Sequence, residues 1–377
     1  MSYRNRVWVD HAALRHNVAR VRQLLDEREL IAVVKADAYG LGLERCAGIY
    51  AAAGVRTMAV ASLGEARRLR SAAPAVRIVV LGQPLPEERA AMVAEGYELC
   101  CSDAGELAAS AALAGDAPVP VHIFVDTGMG RSGCDPARAP QLAAEIDRSP
   151  RLRLAGLATH YPDATQAGPS QAQEDRFAAL VAACGPLPAD CLVHVANSEG
   201  VLMRPAIGNA ARVGLLLTGC EPIGCPPAGL RQALRWESAL TLIKNLPAGH
   251  GVSYGSTVHL ERDSRVGLVP VGYADGYPFA ASGRSQVVVA GQRCPLLGRV
   301  TMDYLVIDLT DCPAAAVGSP VELCGPTMPV AELAAAARTI PYDILCGLRG
   351  RCEVVGCEGR GAGECTAKST RGVVSGS

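Results

Sequence analysis

At 377 residues the chain is long enough for one large domain and a second, smaller one, each with its own buried core. Its 36 basic and 37 acidic residues leave a net charge of -1, so no global field gathers nucleic acid or anionic lipid, and neither is expected as a partner. The opening segment MSYRNRVWVDHAALRHN lacks the apolar stretch of a secretion signal, and no apolar run reaches the roughly 18 residues of a membrane span. The expected location is the cytoplasm.

In chain order, VWVD (7–10) reads as a strand ahead of the first helix, and residues 1–10 are expected to pair with a later β region. Apolar or β-branched runs then recur after Ala-rich helical stretches: LIAVVK (30–35), TMAVAS (57–62), RIVVLG (77–82), YELCCS (97–102), VPVHIFVDTG (119–128), RLAGLATH (153–160), CLVHVANS (191–198) and ARVGLLLTG (211–219). Continuous apolar strands signal burial on both faces, and strand followed by helix through all of these runs predicts an α/β fold, an N-terminal (β/α)8 TIM-type barrel over 11–230. From 231 to 356 strand and turn signals replace helical spacing, which predicts a C-terminal mostly-β domain. Residues 357–377, rich in Gly, Ser and charge, read as a disordered tail.

The 15 cysteines are scattered, several in strand-like runs (Cys100, Cys101, Cys191, Cys346), and none has metal-ligand spacing. They read as small buried hydrophobes of a reducing compartment, with no metal site. Lysine is more telling. The chain has three, Lys35, Lys244 and Lys368. Lys368 falls in the tail and Lys244, in LIKNL, reads as a surface strand residue. Lys35 instead follows an apolar strand, where a desolvated ammonium is costly unless it is paired or reactive.

Barrel chemistry gathers at the C-terminal strand ends, where this chain has Lys35, Asp126 with Thr127, His160, Asn197 with Ser198, and Arg212. Any one of these is ordinarily a turn former or helix cap. A lysine there is a snorkelling surface residue, a salt-bridge partner or an amine that forms a Schiff base. The ADAYG that follows places the Tyr39 hydroxyl within a turn of the amine, and the other strand ends offer groups suited to an anionic, phosphorylated ligand.

VVKADAYGLG (33–42) resembles the pyridoxal-phosphate lysine motif of the alanine racemase family. Seven further segments match that family in order: VDTGMGRSG (125–133), ATHYPD (158–163), HVANSEG (194–200), ARVGLLLTG (211–219), GVSYGSTV (251–258), VGYADGYP (271–278) and GRVTMD (298–303). Each is weak alone, whereas the ordered set, spread over both domains from about residue 5 to 355, is specific.

The resemblance implies a fold-type III amino acid racemase, an isomerase of L- and D-alanine, with pyridoxal 5'-phosphate in the barrel and a homodimer that shares its active sites. Lys35 would form the internal aldimine and act as one acid/base, and Tyr254 from the other subunit would be the second. Tyr39, Ser198 and the amides near Gly214 and Leu215 would hold the phosphate, with Asn197 in the same cofactor set. Arg212 would bond the pyridine nitrogen and His160 would pack on the ring. Arg131, the Met302 backbone of the partner subunit and Tyr273 would serve the substrate.

Inverting a stereocentre needs a proton acceptor on one face and a donor on the other, so two bases suit racemisation. The cofactor's contribution is delocalisation of the carbanion. Lysine and tyrosine titrate near about 10 in water, so both need positive neighbours or desolvation to serve as bases. An arginine opposite the pyridine nitrogen does not readily give up a proton, which restrains the path to transamination.

Four positions depart from the family pattern. Phe124 replaces a lysine, often carbamylated, that orients the arginine corresponding to Arg131, leaving a chloride, Asp126 or another acid as substitutes. Phe279 replaces an entryway arginine. Gly350 replaces a second tyrosine that narrows the mouth, with Arg349 or Arg351 as candidates to fill the gap. Leu41 replaces a histidine and reads as a packing change. The alternatives left open are a racemase for serine or a larger amino acid, a related decarboxylase, and a non-catalytic pyridoxal-phosphate carrier.

Overall fold

The computed structural model describes residues 4–348 and 351–359. Strand β1 (Asn5–Asp10) precedes eight parallel strands, β2 (Glu29–Val33), β3 (Thr57–Val60), β4 (Arg77–Val80), β5 (Glu98–Cys101), β6 (Val119–Phe124), β7 (Leu152–Ala158), β8 (Leu192–His194) and β9 (Ala210–Val213). They close into a barrel in chain order, with β9 pairing back onto β2. Strands such as β3 and β5 are buried along their whole length, because side chains fill the barrel on one face and helices cover the other.

The chain divides into two compact units, one of residues 15–231 with 339–347, the other of the described parts of 1–14, 232–338 and 348–377. The second is mostly β. Its six-stranded sheet runs, edge to edge, through Gln292–Pro295, Gln286–Val289, Pro320–Cys324, Leu234–Ala239, β1 and Glu353–Cys357. A three-stranded sheet holds Leu242–Leu246, Ser264–Val269 and Leu305–Asp308. Trp236 is fully buried there, its indole N–H donating to the Asn5 amide oxygen and its ring 5.7 Å from that of Tyr277.

Two boundaries differ from the sequence reading. The helix Pro341–Gly347 belongs with the barrel unit, since Gly40 sits so close to the Leu345 carbonyl that a Cβ could not fit between them. This also places Cys346 on a helix and not on a strand. The last strand extends through Cys357, one residue into the expected tail, because it has β1 as a parallel partner. The rest of that tail from 360, with Lys368, and Arg349 and Gly350 lie outside the described residues. Among the described residues no helix is long and apolar enough to cross a membrane and no His/Cys/Asp/Glu group could hold a metal. Ten of the described cysteines are buried.

One close approach in the barrel interior requires a glycine. Gly156 of β7 pairs with His122 of β6 beside a register shift, and a Cβ there would overlap the His122 ring and crowd the Leu192 carbonyl. Gly156→Ala is therefore expected to destabilise the protein by about 1–3 kcal/mol in urea unfolding. Gly64→Ala, in a helix with open space around the new methyl, is expected to leave stability unchanged or raise it by up to about 1 kcal/mol. Equal effects of the two would contradict the packing described.

Candidate active site

Lys35 leaves the end of β2 into a left-handed turn. Ala36, Asp37, Ala38 and Tyr39 have φ of 52°, 55°, 53° and 59°. L-residues resist this conformation by roughly 1–2 kcal/mol each, so the turn needs external support. Glu65, on the helix Leu63–Ala72, accepts from the Ala36 N–H at 2.7 Å and the Ala61 N–H at 2.8 Å. Arg68 of the same helix bridges Asp37 and Glu44, and Asp37 in turn accepts from the Leu43 N–H. This scaffold presents the Lys35 amine at a fixed place.

The amine faces a cavity of about 500 Å³ in the barrel unit, within the size range of small-molecule sites. Its walls bring together Lys35, Tyr39, Arg131, His160, Asn197, Ser198, Arg212 and Gly214, all singled out from the sequence. Leu215 follows Gly214 as the first residue of a short 3-10 turn and is fully buried. Burial lowers the Lys35 pKa from its ordinary value, and Arg131 and Arg212 lower it further against an opposing pull from Glu65. A larger fraction of the amine is then neutral and nucleophilic.

At one side of the cavity the Ser198 hydroxyl accepts from the N–H groups of Gly214 at 3.3 Å and Leu216 at 3.4 Å. The Tyr39 hydroxyl lies so close over Gly214 that a Cβ there would overlap it. Asn197 caps the following helix by accepting from the Gly200 N–H at 2.8 Å. Tyr342, from the returning helix Pro341–Gly347, lines the same side, its ring 5.8 Å from that of Tyr39, and burial pushes its hydroxyl up to about 12. Sequence reasoning missed Tyr342: IPYDIL carries no chemical motif and lies more than 300 residues from Lys35.

Arg212 is buried, and among the described residues no carboxylate pairs with it. Its guanidinium donates to the carbonyls of His194 (2.8 Å), Thr159 (2.7 Å) and Val195 (3.1 Å), and meets the Nδ1 atoms of His194 (2.5 Å) and His160 (2.8 Å). Both imidazoles must offer a lone pair to it and are therefore neutral. Burial, then Arg212, Arg131 and Lys35, hold His160 at about 3. The Phe124 ring lies 5.5 Å from the Arg212 guanidinium carbon.

Among the described residues no acid pairs with the Arg131 guanidinium. The Asp126 carboxylate, a sequence candidate for that role, is taken by the N–H groups of Gly128, Met129 and Gly130. Arg351 is likewise engaged elsewhere, on Asp275 and Asp303 at 3.0 and 2.8 Å. Leu41 is fully buried, in keeping with a packing role.

The remaining site candidates, Tyr254, Tyr273 and Met302, lie in the other unit. Tyr254 is 71% exposed on a 3-10 turn, next to Ser253, whose hydroxyl donates to the Arg299 carbonyl. The Tyr273 N–H donates to the Thr301 carbonyl and the Ala274 N–H to the Met302 carbonyl, which ties both residues to the same 299–302 segment. Phe279 stands edge-on to Tyr273 at 6.3 Å. Tyr254, Tyr273, Met302 and Phe279 are all exposed large groups.

His122, His160 and His194 all have pKa values lowered from the ordinary 6.5, chiefly by burial. A base with a lower folded than unfolded pKa binds fewer protons when folded, so its stability contribution is complete above about pH 7 and is lost as pH falls through about 6.5. Urea unfolding at pH 5.5 should show a stability lower than at pH 7.5 by about 1 kcal/mol for each such ring. Equal stability at the two pH values would show that these rings are not held neutral.

The alanine racemase N-terminal domain pattern matches residues 9–222, and the C-terminal domain pattern matches 233–355. The alanine racemase of Symbiobacterium thermophilum is 36% identical over 91% of this chain and 94% of its own length. The catabolic alanine racemase of Pseudomonas putida is 38% identical over 91% of this chain and 96% of its own. The alanine racemase structure from Streptomyces coelicolor superimposes with a TM-score of 0.88 at 35% identity, covering 94% of this chain and 98% of that one. The structure from Bartonella henselae, described with covalently bound pyridoxal phosphate, has a TM-score of 0.86 at 28% identity, covering 94% and 100%. With both domain patterns in order and the barrel mouth built as described, the chain belongs to the alanine racemase family.

Proposed function

We propose that the chain is an amino acid racemase interconverting L- and D-alanine, with pyridoxal 5'-phosphate held in the barrel cavity and two bases, Lys35 and Tyr254 of the partner subunit. The observation that carries this reading is the cavity itself: Lys35, Arg131 and Arg212 line it, and the one lining carboxylate among the described residues, Glu199, accepts from the Ala164 N–H at 2.7 Å. Such a wall favours a strongly anionic ligand.

The residues present fit that cofactor. Lys35 would hold it through the amine, and Tyr39, Tyr342, Ser198 and the N–H groups around Gly214 and Leu215 would receive its phosphate, where a side chain in place of Gly214 would obstruct the approach. Arg212 would meet its ring nitrogen, and the neutral His160 would flank it without adding charge. When bound, the cofactor stabilises negative charge at the substrate's α-carbon. Arg131, which has no hydrogen bond or ion pair from its guanidinium among the described residues, is placed to receive the substrate carboxylate.

Proton movement then falls to two groups on opposite faces, Lys35 Nζ and the hydroxyl of Tyr254 of the partner subunit. The exposure of Tyr254, Tyr273 and Met302 supports a homodimer in which this surface is covered. A cytoplasmic location agrees with the ten buried described cysteines.

Borohydride treatment of the purified protein should remove its visible absorbance and leave a pyridoxyl group on the peptide containing Lys35. Tyr254→Phe should keep that labelling and lose racemisation of alanine in at least one direction by 10²-fold or more, in line with the roughly 10²–10⁴-fold contribution of a positioned acid or base. Label on another residue, or full activity of the variant, would overturn the assignment. Decarboxylation would instead release carbon dioxide from the substrate.

A further inference from the structure

Behind the Arg212 guanidinium a file of buried polar side chains crosses the barrel interior. His194 of β8 meets Arg212 through Nδ1 at 2.5 Å and meets His122 of β6 through Nε2, 3.0 Å from His122 Nδ1. His122 Nε2 lies 2.8 Å from a carboxylate oxygen of Glu98, at the start of β5. Glu98 also accepts from Arg77, at the start of β4, at 2.7 and 3.0 Å. Both imidazoles are fully buried. None of these four residues beyond Arg212 lines the cavity.

The two ends of this file demand the same hydrogen-bond direction. Glu98 can only accept, so His122 carries its proton on Nε2 and leaves Nδ1 as an acceptor. His194 then donates from Nε2 and offers Nδ1 to the Arg212 N–H. Reversing any link would set a donor against a donor, either at Arg212 or between the rings. The space is also built for it, since Gly156 opposite His122 leaves room that any side chain would fill. A buried ion pair that merely plugged the barrel would need Arg77 and Glu98 but no pair of rings joining them to Arg212.

We infer that Glu98 and His122 are positioning residues, which fix the tautomer and orientation of His194 and through it the place of the Arg212 guanidinium. The inference deepens the proposed function, because the group that Arg212 would meet is the cofactor's ring nitrogen. Burial opposes ionisation of Glu98, and the His122 and Arg77 hydrogen bonds outweigh it, holding the carboxyl at about 2. Glu98 thus stays an obligate acceptor throughout the working pH range. A fixed donor array costs no reorganisation when charge develops nearby, which is what such a file supplies to Arg212.

The test is nitrogen NMR of the ¹⁵N-histidine-labelled holoenzyme, whose 7 histidines are assignable by single substitution. His122 and His194 should both be neutral and protonated on Nε2 from pH 6 to 9. In Glu98→Gln the amide can present a donor to His122, so the His194 ring signals should shift although the two residues do not touch. The kcat for alanine should fall by about 10-fold to 100-fold with KM little changed, as for loss of an outer hydrogen bond that orients a working group. Arg77→Met, which leaves the His122 bond to Glu98 in place, should lower thermal stability without shifting the His194 signals. An Nδ1-protonated or doubly protonated ring in the unaltered protein would overturn the inference even if no variant folds, and so would unchanged His194 signals in Glu98→Gln. These readouts stand apart from the labelling of Lys35, so the proposed function can fail while the tautomers hold, and the reverse.

Discussion

Positive charge concentrated against too little negative charge governs the barrel mouth. Lys35, Arg131 and Arg212 share one cavity whose single lining carboxylate among the described residues already serves a backbone N–H. In a partly desolvated space like charges disfavour one another's ionised forms, and the group able to yield is the lysine, since the guanidinium proton is held far more firmly. Burial, aided by the same field, keeps His160 neutral. On the proposed reading an incoming phosphate would relieve the imbalance, and Lys35, biased towards its neutral form, would be the residue to hold the cofactor. Affinity for an anionic ligand and a larger neutral fraction of the amine are two consequences of one electrostatic arrangement.

That arrangement works only if the three cations are prevented from moving apart. Lys35 is held by a run of four left-handed residues, a conformation that would relax if its supports were removed. Those supports come from neighbouring elements: Glu65 and Arg68 from the next helix, and Leu345 and Tyr342 from a helix that returns after the whole second unit has been built. Arg212 is held by three carbonyls and two neutral imidazoles, all acceptors, so it keeps its charge without an ion-pair partner. Arg131 differs: it lines the cavity with no hydrogen bond or ion pair from its guanidinium among the described residues.

The strands, their order and most of the cavity wall were legible in the sequence because each depends on local signals. Buried parallel strands read as unbroken apolar runs, and the polar residues that end them must converge once the barrel closes. Lys35 stood out because lysine is so scarce in this chain. The parts that were not legible are those set by contacts distant in sequence. Tyr342 reaches the cavity only because Pro341–Gly347 packs against the Lys35–Tyr39 turn, and Glu65, in the first turn of its helix, has no local signal that sets it apart. His122 is a polar residue in an apolar strand that carried no signal of its own, and its surroundings, Glu98, His194 and Gly156, come from other strands. Asp126 failed as a partner for Arg131 because its own loop consumes the carboxylate, a local demand that proximity in sequence does not reveal.

The central claim, that burial and the cavity's uncompensated charge together drive Lys35 towards its neutral form, is open to direct measurement. Lys244→Arg and Lys368→Arg leave Lys35 as the only lysine side chain, so reductive ¹³C-methylation of cofactor-free protein would report its titration as a single side-chain signal. A midpoint clearly below the ordinary lysine value of about 10.4, moving upward when Arg131→Met is added, is the result this account predicts. A midpoint at or above that value, insensitive to Arg131, would contradict it.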